Sequence, residues 1–527
     1  MSPSLAEAAP VNVNPKNKPG NHADFSAFRL QTPVLILFVF FLLPLWVGAQ
    51  KIEILNAGSL SLDTANNQPA RKLVGNVKMR QNDFTLECDS ALFYIHVNAV
   101  DAFGNVVIYD KQTRAQADSL KYNGEEKIAI LSGSVSVTQD SIRLLTQTLY
   151  YYITSGVGAY YSGGQVILSN MTVSSKKGYY DSRSGDAWFS GDVHVTGSDY
   201  TITADSLRYQ VKSKVTRFCS PTRITRKDET IICHSGYHES VSGIAVFGKE
   251  TTLLRPQQKL YADSLLYYSE IGYGQAWIYF EWTDSASDAV LSGKRAEFFR
   301  LQNRLVATDS VLLTFILSDD SLFLSADTLL SVDDTVSGSS SLLAFHRVRI
   351  YKDNLQGLCD SLVFTSSDST IRMFNNPVLW SQDNQLTGDT IIIVLHNRQV
   401  DRLELFENGF IINHAHTQLF NQIKGRHVYG YFSGGKLHHL LVDGNAESVY
   451  FGKDESGGFI GMNKAFCSRM KIYLNKEQVS RIVFLTKPEA VFYPMQLVQP
   501  QEHLLKGFSW RAASRPRSIG DLFSNQM

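Results

Sequence analysis

Apolar and polar residues alternate along most of this chain, and the alternation returns in steps of 29 residues. Its clearest copies read Ala117-Asp118-Ser119-Leu120-Lys121-Tyr122, Ala204-Asp205-Ser206-Leu207-Arg208-Tyr209 and Ala262-Asp263-Ser264-Leu265-Leu266-Tyr267. With Asp118 as marker, the same column falls on Asp89, Asp118, Gln147, Lys176, Asp205, His234 and Asp263, each 29 residues after the last. Steps of 29 to 37 carry it on through Lys294, Asp327, Asp360, Asp389, Arg426 and Asn463, which makes thirteen copies. A fixed period of this size marks a stacked array, and period-two alternation within each copy marks strands.

Each copy has two strand-like halves. The first opens on Gly-x-Val, at Gly75, Gly104, Gly133, Gly164 and Gly191, and in four of the five the glycine precedes the marker by 14 residues. That constancy places insertions in turns, and the glycine is expected to supply a backbone angle at a turn or bulge before the strand. In the second half the residues two and four after the marker share a face, as Leu120 does with Tyr122. Ile202 and Ala204, upstream of their marker, have the opposite parity to Leu207 and Tyr209. A bend near Asp-Ser would turn both sets inward. The Asp89 copy, with Ala91 and Phe93 in those slots, reads as slipped by one residue. The sequence therefore predicts an all-β fold, an elongated jellyroll or solenoid-like stack of about 26 antiparallel strands with a V-shaped section, at most roughly 120 Å long.

Composition narrows the function. Lys+Arg and Asp+Glu both total 50, so no net charge favours nucleic acid as a partner. The 24 tyrosines and 30 phenylalanines suit half-buried strands. Five cysteines are too few for a disulfide scaffold. Cys88, Cys233 and Cys359 occupy the column that alanine fills at 117, 204 and 262, and read as small buried side chains. No metal or cofactor is expected: Cys233-His234 with His238 has no second cluster at ligand spacing, and a calcium column would not hold Gln147, Lys176 and His234. No nucleophile, phosphate-loop or zinc-protease motif is present, so no catalytic residue is assigned.

At the N-terminus Arg29 precedes an apolar run from Val34 to Val47, which ends Val47-Gly48-Ala49 before Gln50. This reads as an export signal cleaved after Ala49; Pro44 and the short run make a permanent inner-membrane anchor the weaker reading. The expected division is 1–49 extension and signal, 50–270 clear repeats, 271–499 continuing divergent repeats, and 500–527 a disordered polar tail.

The Gly-[Asn/Asp]-Val openings at Gly75, Gly104 and Gly191, with the Ala-Asp-Ser-Leu-x-Tyr strands at Ala117, Ala204 and Ala262, resemble the OstA-like family. That resemblance implies a periplasmic β-jellyroll that shields lipid A acyl chains and hands lipopolysaccharide from an inner-membrane anchored partner to the outer-membrane translocon. By motif position the lining would be Val77, Met79, Val106, Ile108, Leu120, Tyr122, Val135, Val137, Leu149, Val193, Val195, Leu207 and Leu265, and the open sheet edges could meet partner modules or copies of this chain. For each residue plain core packing is an equal reading. An outer-membrane β-barrel and a glycan-binding surface solenoid remain as alternatives.

Overall fold

The computed structural model describes residues 51–527, apart from 66–67, 169, 269–270, 318–319, 335–337, 398, 435, 476–477, 500–502 and 525–527. The apolar segment and its expected cleavage site lie outside the described residues. Within them every long element is a strand, with only short 3-10 turns besides. Strands pair antiparallel with their neighbours in one sheet. Glu53–Asn56 and Ser59–Ala65 pair only with Gln68–Gln81, and Gln478–Leu485 only with Phe459–Asn475. Among the described residues the sheet thus has two unpaired edges, and its apolar side is inside. Both features differ from a membrane barrel.

Among the described residues the sheet contains 36 strands rather than about 26, because several passes are broken where the chain bends. An example is the pass split into Val157–Tyr160 and Gly164–Ile167. The bend has a simple origin. In the pairing of Ala99–Tyr109 with Thr113–Asn123, Phe103 faces Ser119 and Val106 faces Ala117, so Gly104 and Asn105 stand opposite Asp118 alone. Both bulge residues have positive φ, 73° at Gly104 and 46° at Asn105. A bulge with two such residues kinks the strand and increases its twist. The glycine therefore sits in mid-strand, not at a turn before it.

A second constraint acts at the same place. A Cβ on Gly104 would lie 2.4 Å from Oδ2 of Asp89, and one on Gly133 would lie 2.2 Å from Oδ2 of Asp118. The marker side chain of one pass thus rests on the bulge glycine of a later pass, 15 residues on. Its tolerance of different residues also has a cause, because its partner changes with it. Asp89 accepts from Nδ2 of Asn105 at 2.9 Å, while Lys176 is ion-paired with Asp192. Asp327 bonds Arg347 at 2.8 Å, and Asp360 meets His346 at 3.2 Å. The hydrogen bond between Lys176 and Asp192 raises the lysine pKa and lowers that of the aspartate. At Asp89, Lys176, Asp327 and Asp360 the column thus forms cross-strand polar pairs at the outside of the corner.

The bend turns both halves of each strand inward. Ala115 and Ala117 before the corner, and Leu120 and Tyr122 after it, join one packed cluster despite their opposite parity. The Asp89 copy keeps the common register, with Leu73 facing Ala91 and Val77 facing Cys88, so no slip occurs there. Tyr94, one residue beyond Phe93, is buried, and its hydroxyl donates to Asp101 at 3.3 Å.

The later repeats depart from the expectation that insertions fall in turns. Ala99–Tyr109 and Thr113–Asn123 have 11 residues each, whereas Gln399–His416 and Lys436–Lys453 have 18. The added length lies in the strands. It carries an apolar outer face, where Phe410, Ile412, Val449, Phe451 and Met462 form a cluster separate from the inner core.

Residues 503–524, expected as a disordered tail, cover that face. Leu505 is buried in the outer cluster, with Phe508 and Trp510 packed against it. Three outward glutamines, each four residues before its marker, hold the strap: Gln422, Gln385 and Gln356. The backbone N–H of Leu505 donates to Oε1 of Gln422 at 2.9 Å, and that of Arg511 to Oε1 of Gln385 at 2.7 Å. Nε of Arg515 donates to Oε1 of Gln356 at 2.7 Å. Buried backbone groups need partners, and these amides supply them. The apolar anchors in an otherwise polar segment outweigh the entropy of ordering it.

Candidate functional site: the lining of the bent sheet

Two walls face each other inside the bend, and they differ chemically. On the wall that follows the marker, one row alternates large and small residues: Tyr122 pairs with Ala129, Tyr151 with Gly158, Tyr180 with Ala187 and Tyr209 with Thr216. On the wall that precedes it, the matching row is aliphatic: Ile108 pairs with Ala115, Val137 with Leu144, and Val173 with Val195. Small residues beside the tyrosines leave room for the rings to lie across the neighbouring strand.

Every residue proposed as lining faces inward. Val77, Met79, Val106, Leu120, Val135 and Leu149 are buried in the first inner cluster, with Ile108, Tyr122 and Val137 half-buried against it. Val193, Val195, Leu207 and Leu265 are buried in the second. The residues nearest the corner are almost fully enclosed, Val193 at 0% and Val106 at 1% exposure; one row farther out Met79 and Val195 are still buried, while Ile108, Tyr122 and Val137 reach solvent.

The inner apolar surface falls into two clusters, and the division has a specific cause that the repeat did not reveal. At Thr146, Gly164 and Ser175 the row beside the corner is polar or bare. The Tyr160 ring crosses from the other wall and occupies the space over Gly164 and Gly178. A Cβ on either glycine would lie within 2.6 Å of that ring. The Tyr160 hydroxyl meets Oγ of Ser175 at 2.7 Å, and Oγ1 of Thr146 donates to the Gly163 carbonyl at 2.7 Å. Burial raises the Tyr160 pKa, although the Ser175 hydrogen bond acts the other way. This brace ties the walls together between the first core, which ends at Leu149, and the second, which begins at Val173. The Gly-x-Val phrase read at Gly164 is thereby corrected: Gly164 pairs with Thr146 as Val106 pairs with Ala117, so it stands where the other copies have valine, and it opens no bulge.

The buried thiols are chemically quiet. Burial pushes Cys88 to about 11, and Cys233 and Cys359 to about 12. Cys219 is exposed.

The chain thus defines a class: a bent, antiparallel sheet with an apolar inside, built from bulge-cornered repeats. Residues 49–205 match the model of the family described as OstA-like protein, so the resemblance carried by the Gly-x-Val and Ala-Asp-Ser-Leu-x-Tyr phrases is observed over that segment. Among solved structures, one match is the crystal structure of LptH from Pseudomonas aeruginosa, described as the LptA-homologous periplasmic component of the lipopolysaccharide transport device. The two are 17% identical, over 20% of this chain and 79% of that one, with a TM-score of 0.19. No curated protein matches the chain.

Proposed function

We propose that this protein is a non-enzymatic periplasmic carrier of lipopolysaccharide, which takes the acyl chains of lipid A between its two walls and bridges inner-membrane anchored and outer-membrane translocon components of the transport system. The observation that carries this reading is the coincidence of the OstA-like segment with a bent sheet whose inner rows are apolar pass after pass. Acyl chains gain about 0.8 kcal/mol per buried CH₂, so a lining that repeats along the sheet suits a long hydrocarbon cargo better than a compact one. The unpaired edge strands supply backbone donors and acceptors for neighbouring modules or copies of this chain.

The test is photo-crosslinking in cells. Probes at Val106, Val135 and Leu207, which face inward, should capture lipopolysaccharide. Probes at Lys78 and Arg208 should not: these side chains point outward and pair with Glu87 at 2.9 Å and Asp186 at 2.6 Å. Equal capture at all five positions would sink the proposal.

A further inference from the structure

The two walls are unlike, and the difference has an orientation. Tyr122, Tyr151, Tyr180 and Tyr209 recur every 29 residues in one row of the sheet, two strands or about 10 Å apart. Their rings pack against the inner clusters. Burial raises the pKa of Tyr180 and Tyr209. Yet none of the four hydroxyls has a protein hydrogen-bond partner among the described residues, and none is sealed from water. An aromatic residue with a packed ring and a wet, unpaired hydroxyl marks a boundary between apolar and polar surroundings. The facing aliphatic row offers no such groups.

One step farther out, the turns beyond Tyr180 and Tyr209 carry exposed cations at the same period. Arg183 reaches the Thr154 carbonyl, and Nζ of Lys212 donates to the Arg183 carbonyl at 3.1 Å. Neither forms an ion pair among the described residues. The nearby carboxylates are engaged elsewhere: Asp181 accepts from the backbone N–H of Arg183 at 2.9 Å, and Asp186 is paired with Arg208 at 2.6 Å. From the inside outward the wall therefore runs hydrocarbon, unbonded hydroxyl, and cation bonded to backbone carbonyls but to no carboxylate side chain. An anionic acylated lipid has the same order of acyl chain, ester or sugar oxygen, and phosphate.

We propose that this tyrosine row orients the cargo: the phosphorylated sugar head of the lipid lies at the Tyr180–Tyr209 rim, with phosphate at Arg183 and Lys212, while the acyl chains lie against the aliphatic wall. This rests on the carrier reading above and adds a direction to it. The test uses the full chain and three probes: lipid A, the same lipid without its phosphates, and diphenylhexatriene, a hydrocarbon with no head. The fourfold variant Tyr122→Phe, Tyr151→Phe, Tyr180→Phe, Tyr209→Phe keeps the rings. It should bind both lipids about tenfold more weakly and diphenylhexatriene unchanged. The double variant Arg183→Gln, Lys212→Gln should weaken lipid A while leaving the dephosphorylated lipid alone.

Lipid binding unchanged in the fourfold variant, or an equal loss for all three probes, would overturn the orientation while leaving the carrier reading intact. An equal loss of both lipids in the double variant would remove the phosphate assignment. If the unaltered protein takes up none of the three probes, the carrier reading fails and the orientation with it.

Discussion

The early and late repeats solve the same packing problem with different amounts of sheet. Around Phe84–Asn123 the strands have 11 residues, and their outer face mixes exposed polar residues such as Gln116 and Lys121 with the exposed Phe103. Around Gln399–Asn475 they have 15 to 18, and the wall before the corner is buried on both sides. The corner is common to both, since Gly104-Asn105 and Gly444-Asn445 both have positive φ. The bulge thus fixes the inner face, while strand length is free to vary outside it. An apolar outer face then requires a cover, and the C-terminal strap meets that requirement.

The largest expected effect comes from removing residues 503–524. It would expose Phe410, Ile412, Val449 and Phe451, each worth about 1.5–3 kcal/mol in lost burial, so the late repeats should lose hydrogen-exchange protection while Phe84–Asn123 keeps it. Undiminished protection across Gln399–Asn475 would mean that the strap is not needed there.

Next is Gln385→Ala. It leaves the Arg511 N–H, the Ser509 carbonyl and the Trp380 indole N–H without a partner, at a cost of about 2–4 kcal/mol in denaturant unfolding. Gln116→Ala, on the exposed outer face of the early section, should stay within about 0.5 kcal/mol. Similar costs at the two sites would erase the contrast between the sections.

A smaller loss, about 1–3 kcal/mol, is expected for Gly133→Ala, where φ is +80° and the new methyl would meet Asp118. Adding Asp118→Ala should recover the steric part in a double-mutant cycle, leaving the backbone cost. Gly434, with φ +59° and nothing within 4 Å, should show the backbone cost alone, about 1 kcal/mol. If the two glycines behave alike, the marker contact contributes nothing.

The subtlest contrast is in thiol reactivity. Cys219 should react promptly with a disulfide reagent in the native protein. At pH 8 a thiol held near 12, such as Cys233 or Cys359, is thiolate only about one part in ten thousand, so both should wait for unfolding. Prompt reaction of Cys233 would show that the inner core opens readily.

How much of this was legible follows the same division. In the early repeats one face is buried, so alternation reports directly on the inside, and the parity switch across Asp118-Ser119 announced the bend. The exchange of partners across the corner was not readable, because Asp89 and Asn105 come together only through the bulge register. Late in the chain, runs such as Val378-Leu379-Trp380 and Phe410-Ile411-Ile412 break the alternation because both faces are covered. That signal was present, but it looked like divergence. The strap was hidden more deeply: Leu505, Phe508, Trp510 and Leu522 are sparse in a polar stretch, and their meaning depends on glutamines over 80 residues away. Of the site, the inward positions were readable; the tyrosine and aliphatic walls, and the Tyr160 brace, required the pairing register.

The most direct measurement of whether the inside carries acyl chains is native mass spectrometry of the protein purified without detergent, comparing Ile108→Lys with Val107→Lys. These neighbours share one strand and face opposite sides, Ile108 packed against the inner cluster and Val107 outside it. The expected result is an acylated lipid bound to the unaltered protein and to Val107→Lys, and lost from Ile108→Lys. Equal retention in both variants, or an unaltered protein free of lipid, would contradict it.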